Sequence, residues 1–121
     1  MIISVITTIN PPTDTVKKLV SLKNMQVTVV GDKKTPSNWS YPGVQYFSVA
    51  DQISRYPNLS ELLPLNHYGR KNIGYIDAIN HIPDYIIDFD DDNMPSAKFS
   101  EGLLPISCEL DTVIADKPIN M

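Results

Sequence analysis

Cysteine is nearly absent. Cys108 is the only one in 121 residues, which excludes an internal disulfide framework and a cysteine-rich zinc site. A buried, inert thiol is its expected state. No transmembrane run is present. Ile2–Ile9 is apolar, but no basic segment precedes it and no small-residue cleavage site follows, so it does not read as a signal peptide. As given, the chain reads as cytoplasmic. An excess of basic residues is also missing: ten Lys and Arg against fourteen Asp and Glu leave a formal charge of −4. That balance disfavours non-specific binding to nucleic acid or to a membrane surface. It leaves room for an anionic ligand, because a bound cation inverts the local charge. Internal repeats and low-complexity segments are absent too. What remains is an ordinary globular composition, long enough for one domain, 1–121, with a modest core. Its ten prolines imply many loops.

The stretch Tyr85–Pro95 stands out. The apolar run Tyr85-Ile86-Ile87 leads into Asp88, Asp90, Asp91 and Asp92, then Asn93. The run reads as a buried strand of a parallel sheet. Four carboxylates within five residues repel one another, and a hard divalent cation, Mg²⁺ or Mn²⁺, would relieve that repulsion. Ligands of open α/β sheets bind at the carboxyl ends of the strands, where these acids fall. The plainer alternative is a solvated turn, for which Asp-Asn-Met-Pro is good chemistry.

The preceding chain fits an α/β sheet. Ile2–Ile9 reads as a first strand, stopped by Asn10-Pro11-Pro12. Thr13 or Asp14 caps a helix to about Leu22, with Val16, Leu19 and Val20 on one face. Gln26–Val30 is a second strand ending in Gly31-Asp32-Lys33-Lys34, and Gln45–Val49 a short third. Asp51–Leu63 is ambiguous, because Pro57 and Pro64 break any long helix. Gly69–Asn80 reads as a helix with Arg70 and Lys71 in its first turn, the wrong end for cations on dipole grounds. An anion bound nearby would explain them; two solvated bases is the alternative. Glu109–Ala115 is a candidate last strand.

Three chemistries compete for the acids. Asp88-x-Asp90-x-Asp92 begins like an EF-hand loop but has Asn93 where the glycine belongs and Phe99 in place of the bidentate glutamate. Asp88-Phe89-Asp90 is similar to the paired aspartates of haloacid-dehalogenase-like phosphatases, with Asp88 as nucleophile. That family places the pair after its first strand and follows it with a threonine that this chain lacks. Asp90-Asp91-Asp92 fits better as the Asp-x-Asp motif of GT-A nucleotide-sugar transferases, in which a divalent cation bridges the donor diphosphate.

Several blocks occur in one order: Val5–Pro12, Val29–Pro36, Pro64–Tyr75 and Asp88–Asn93. Together they resemble the STELLO family, glycosyltransferase-like proteins associated with plant cellulose synthesis. Reversibly glycosylated polypeptides are more distantly similar. The resemblance spans about residues 3 to 93. It implies a Rossmann-like GT-A nucleotide-binding half with a mostly parallel sheet flanked by helices. It implies a nucleoside-diphosphate sugar as ligand, a UDP-sugar by preference, with Mn²⁺ or Mg²⁺. Thr7, Thr8 and Ile9 would line the base pocket, and Asp32 would contact base or ribose. Arg70, Asn72 and Gly74 would contact base or phosphate, Asp90 and Asp92 the metal, and Asp91 the ribose or sugar. Asp88 would buttress the motif.

Each assignment has a structural alternative. Asp32 can be a turn residue, and Asn72 and Gly74 can serve helix packing. His67 can be a catalytic or ligand residue or, alternatively, a loop anchor, and Trp39 and Tyr41 core residues rather than base-stacking ones. GT-A enzymes are about twice this long, so the chain reads as a minimal form or a donor-binding piece. A piece of a longer membrane protein would sit in the Golgi lumen instead. Without an acceptor half, a non-catalytic partner-binding module of the same fold is the alternative function. A truncated sheet edge would need covering, which points to a homodimer.

Overall fold

The computed structural model describes residues 1–99. Four strands form one sheet: β1 (Ile2–Thr8), β2 (Met25–Gly31), β3 (Val44–Phe47) and β4 (Tyr85–Asp88). Their spatial order is β3-β2-β1-β4, and every pairing is parallel. The fold is therefore α/β and Rossmann-like, as expected. The expected strand Glu109–Ala115 lies outside the described residues. Among the described residues no helix is long and apolar enough to cross a membrane.

β1 is the axis of the sheet. Its run Ile-Ile-Ser-Val-Ile-Thr-Thr is almost wholly β-branched, which favours a pleated strand buried on both faces. Successive side chains alternate between the faces. Ile6 joins Val27, Val29 and Trp39 under α1 (Asp14–Val20), whose Val16 and Leu19 close that core. Ile3 and Val5 face the other way, against Ala78 and Tyr75 of α4 (Lys71–Asn80). Thr13 caps α1 by accepting the Val16 N–H at 3.4 Å, and the helix ends at Val20, short of the expected Leu22. Trp39 is core, as the plainer reading had it. It stacks on Tyr46 at 4.6 Å and donates its indole N–H to the Asn10 carbonyl at 2.9 Å.

The ambiguous stretch 51–63 resolves into two short helices, α2 (Val49–Arg55) and α3 (Pro57–Leu62). Ser48 and Asp51 form a capping box at the start of α2. Pro57 stands in the first turn of α3, where its missing N–H costs nothing. A 3₁₀ turn, Tyr68–Arg70, then leads into α4.

From β1 the chain runs outward through β2 to β3, then crosses back to place β4 on the other side of β1. The strand order therefore reverses at β1, and the crevice beyond its carboxyl end is the expected ligand position of such sheets. The sheet register brings Thr8 level with Gly31 and Val5 level with Asp88. The loops after β1, β2 and β4 therefore emerge side by side.

Among the described residues one buried side-chain group lacks a partner. Ser4 is fully buried in β1, and its Oγ makes no hydrogen bond among the described residues. A hydroxyl in that state costs about 1–3 kcal/mol in lost hydration. Ser4→Ala is therefore expected to stabilise the fold by about 1 kcal/mol, seen as a rise in the midpoint of thermal unfolding. A fall would show that the hydroxyl is satisfied.

Candidate functional site

At the carboxyl end of β1 lies a pocket of about 370 Å³. Thr7, Thr8, Ile9 and Asn10 form its floor, Asp32 and Lys34 one wall, and Asp91 another. Asn66, His67 and Tyr68 close it from the loop before the 3₁₀ turn. Five of the expected nucleotide-site residues, Thr7, Thr8, Ile9, Asp32 and Asp91, thus meet in one cavity, carried by three separate strand ends.

Hydrogen bonds fix this geometry. Thr8 Oγ1 donates to Asp91 Oδ2 at 2.5 Å, and Asn10 Nδ2 donates to the same oxygen at 3.0 Å. Thr13 Oγ1 donates to the Asp91 carbonyl at 2.6 Å, which ties the acidic turn to the start of α1. On the other side, Thr35 Oγ1 donates to the Thr8 carbonyl at 2.6 Å and accepts the Asp32 N–H at 2.7 Å.

Asp32 has a structural duty that its sequence position did not reveal. Its Oδ1 accepts from the backbone N–H of Lys33 at 2.6 Å and of Asn66 at 2.7 Å, and its Oδ2 accepts from His67 at 3.0 Å. The carboxylate holds the Asn66–Tyr68 loop over the pocket, with Asn66 in the left-handed region at φ 54°, which asparagine tolerates better than most residues. Three of its roughly four acceptor positions are used, so one remains on Oδ2 for a ligand.

Arg70, Asn72 and Gly74 are placed elsewhere. Arg70 is 1 % exposed, and its guanidinium is bonded to Gln52, Ser60 and Leu63. Asn72 Nδ2 donates to the Gly69 carbonyl at 2.7 Å, bracing the 3₁₀ turn. Gly74 is buried where α4 crosses the sheet, and a Cβ there would meet Val5 and Val30. None of the three lines the pocket.

The acidic run divides. Asp91 turns to the pocket, whereas Asp88 and Asp90 line a separate recess of about 140 Å³ with Phe89 and Asn93. The Lys71 ammonium reaches across from α4 to Asp88, to the Phe89 carbonyl at 3.0 Å and to Asp90 Oδ1 at 3.4 Å. The anion that explains a cation at this helix start is thus supplied by the chain's own carboxylates. Asn93 Nδ2 approaches Asp90 Oδ2 at 3.3 Å, and Asp92 is exposed. Among the described residues no three His, Cys, Asp or Glu side chains converge as a metal-holding group. Asp90 and Asp92 still fit a hard cation in kind, since both offer carboxylate oxygens at the surface, provided a ligand contributes the remaining oxygens.

Tyr75 stands behind this cluster. Burial first, then the charge and hydrogen bond of Asp88 and the charge of Asp90, push its phenol up to about 12 from the usual 10.0. A raised folded value means that the folded chain keeps a proton the unfolded chain has released. The contribution is complete below pH 10 and is lost as pH rises from 10 towards 12. Wild type is therefore expected to lose more thermal stability than Tyr75→Phe over that interval. Parallel losses would refute the coupling.

Pocket-lining residues that were not foreseen include Asn10, Lys34 and Tyr68. His67 and Tyr68 stack at 4.4 Å, and Tyr68 is 77 % exposed. An exposed aromatic beside a histidine in a turn was the available signal.

These features define a class: an α/β, Rossmann-like half of the GT-A type, with its crevice at the strand-order reversal. No protein-family model matches the chain. The probable glycosyltransferases STELLO2 and STELLO1 of Arabidopsis thaliana are each 35 % identical to it over 80 residues, 66 % of this chain and 10 % of theirs. The chain is thus STELLO-like and glycosyltransferase-like, and it spans about a tenth of the length of the curated relatives it matches.

Proposed function

We propose that the chain binds a nucleoside-diphosphate sugar, a UDP-sugar by preference, in the crevice beyond β1, as the donor-binding part of a glycosyltransferase. One observation carries the reading: Thr7, Thr8, Ile9, Asp32 and Asp91, distant in sequence, line one pocket of about 370 Å³, a size suited to a small-molecule ligand. The His67–Tyr68 pair offers a flat apolar face for the base. Asp32 holds that pair in place and keeps one acceptor position for a base or ribose donor. Asp91, oriented by Thr8 and Asn10, accepts from a ribose hydroxyl. Lys34 supplies positive charge at the rim, where the diphosphate passes. Asp90 and Asp92 would hold a Mg²⁺ or Mn²⁺, which when bound neutralises the charge of a diphosphate leaving group.

Calorimetric titration with UDP in the presence of Mn²⁺ tests this. Binding at a Kd of roughly 10–100 µM, about 5.5–7 kcal/mol, is expected for wild type. Asp91→Ala should weaken it about tenfold or more, because the ribose acceptor and its ties to Thr8 and Asn10 are lost together. Asp90→Ala/Asp92→Ala should remove the Mn²⁺ dependence. No heat at millimolar UDP, or wild-type affinity in the Asp91 variant, would count against the reading.

A further inference from the structure

We propose that Lys71 is the resident cation of the acidic turn, and that it makes capture of a divalent ion at Asp90 conditional on nucleotide. This rests on the donor-binding reading for its second half only. Lys71 is 8 % exposed, unusual for a lysine unless its charge is paired. It also opens α4, the helix end that disfavours cations. Its neighbours offset both costs. Three ammonium hydrogens meet three oxygens, from Asp88, the Phe89 carbonyl and Asp90, so the group is saturated.

The turn therefore has its cation before any ion arrives. A divalent ion at Asp90 must sit beside a fixed positive charge and share a carboxylate already engaged by it. Coulomb repulsion between the two cations weakens ion binding to the chain alone. A diphosphate alters the balance, since it brings negative charge and the oxygens the turn lacks. Ion and nucleotide then strengthen each other's binding by the same factor. Lys71 acts through Asp88 and Asp90, so it is a positioning residue.

The test follows Mn²⁺ binding to the full chain by electron paramagnetic resonance, with and without UDP. Wild type alone should bind Mn²⁺ weakly, and saturating UDP should tighten it about tenfold or more. Lys71→Met should bind Mn²⁺ alone about tenfold tighter than wild type, and UDP should add less. Lys71→Arg, which keeps the charge, should stay close to wild type. The side chains of Asp88 and Asp90 are each 66 % exposed, so water can solvate them once the lysine is gone. Should Lys71→Met fail to fold, Lys71→Gln keeps a donor without the charge and carries the same expectation. Unchanged or weaker Mn²⁺ binding by the neutral variants overturns the proposal. If UDP has no effect on wild type while the neutral variants still gain Mn²⁺ affinity, the nucleotide reading falls and Lys71 as resident cation stands.

Discussion

Arg70→Ala is expected to cost the fold about 3–5 kcal/mol and to lower the midpoint of thermal unfolding by well over ten degrees. Arg70 Nε donates to Gln52 Oε1 at 2.7 Å, Nη2 to Ser60 Oγ at 2.7 Å, and Nη1 to the Leu63 carbonyl at 2.9 Å. Gln52, itself fully buried, passes the connection on, its Nε2 donating to the carbonyls of Gly31 at 2.7 Å and Phe47 at 3.0 Å. One guanidinium thus fastens α3 and the 3₁₀ turn to the carboxyl ends of β2 and β3. Alanine leaves a cavity and several acceptors without donors, each worth about 1–3 kcal/mol when buried. Lysine does not rescue, since one ammonium cannot reproduce a planar fork with three separate nitrogens. In a double-mutant cycle with Gln52→Ala the two losses should fall clearly short of additive. A loss below about 1 kcal/mol for Arg70→Ala would mean that the network contributes little.

The same residue shows where sequence reading stops. A base in the first turn of a helix calls for an anion or an acceptor set, and nothing local says whether a ligand or the chain itself supplies it. For Arg70 the acceptors are Gln52, Ser60 and Leu63; for Lys71 they are the carboxylates of Asp88 and Asp90 and the Phe89 carbonyl. All lie on other elements, and only the fold joins them.

The strand ends behaved differently. β1, β2 and β4 are short β-branched runs stopped by proline, glycine or acidic turns, so their carboxyl ends could be located to within a residue or two. In an open parallel sheet that is enough to gather Thr7, Thr8, Asp32 and Asp91 at one crevice. The Asn66–Tyr68 loop was harder. It has no periodicity, and its position over the pocket depends on two backbone bonds to a carboxylate more than thirty residues earlier. The stretch from Ser48 to Leu63 was more legible than Pro57 within it and Pro64 after it suggested. Ser48 and Asp51 have capping-box spacing, and Pro57 suits a helix start. Pro57 therefore marks where one short helix gives way to the next.

Gly74→Ala carries the second large effect, and it separates packing from ligand contact. A Cβ on Gly74 would lie 2.5 Å from Val5 Cγ1 and 2.9 Å from Val30 Cγ2. Both valines are fully buried in the two central strands, and β-branched side chains there have little rotameric freedom. Helix α4 must move away from the sheet, at a cost of about 1–3 kcal/mol that the better helix propensity of alanine, worth about 1 kcal/mol, only partly offsets. Gly74→Val should cost more. Denaturant unfolding measures the loss, and Val30→Ala supplies the control: by opening space beneath α4 it should cost less in the Gly74→Ala background than in wild type. Lifting α4 also shifts Lys71 at its start, so Mn²⁺ binding to the chain alone should change with stability. A Gly74→Ala variant that unfolds like wild type yet loses UDP binding would instead restore this glycine to the ligand site and remove the packing account.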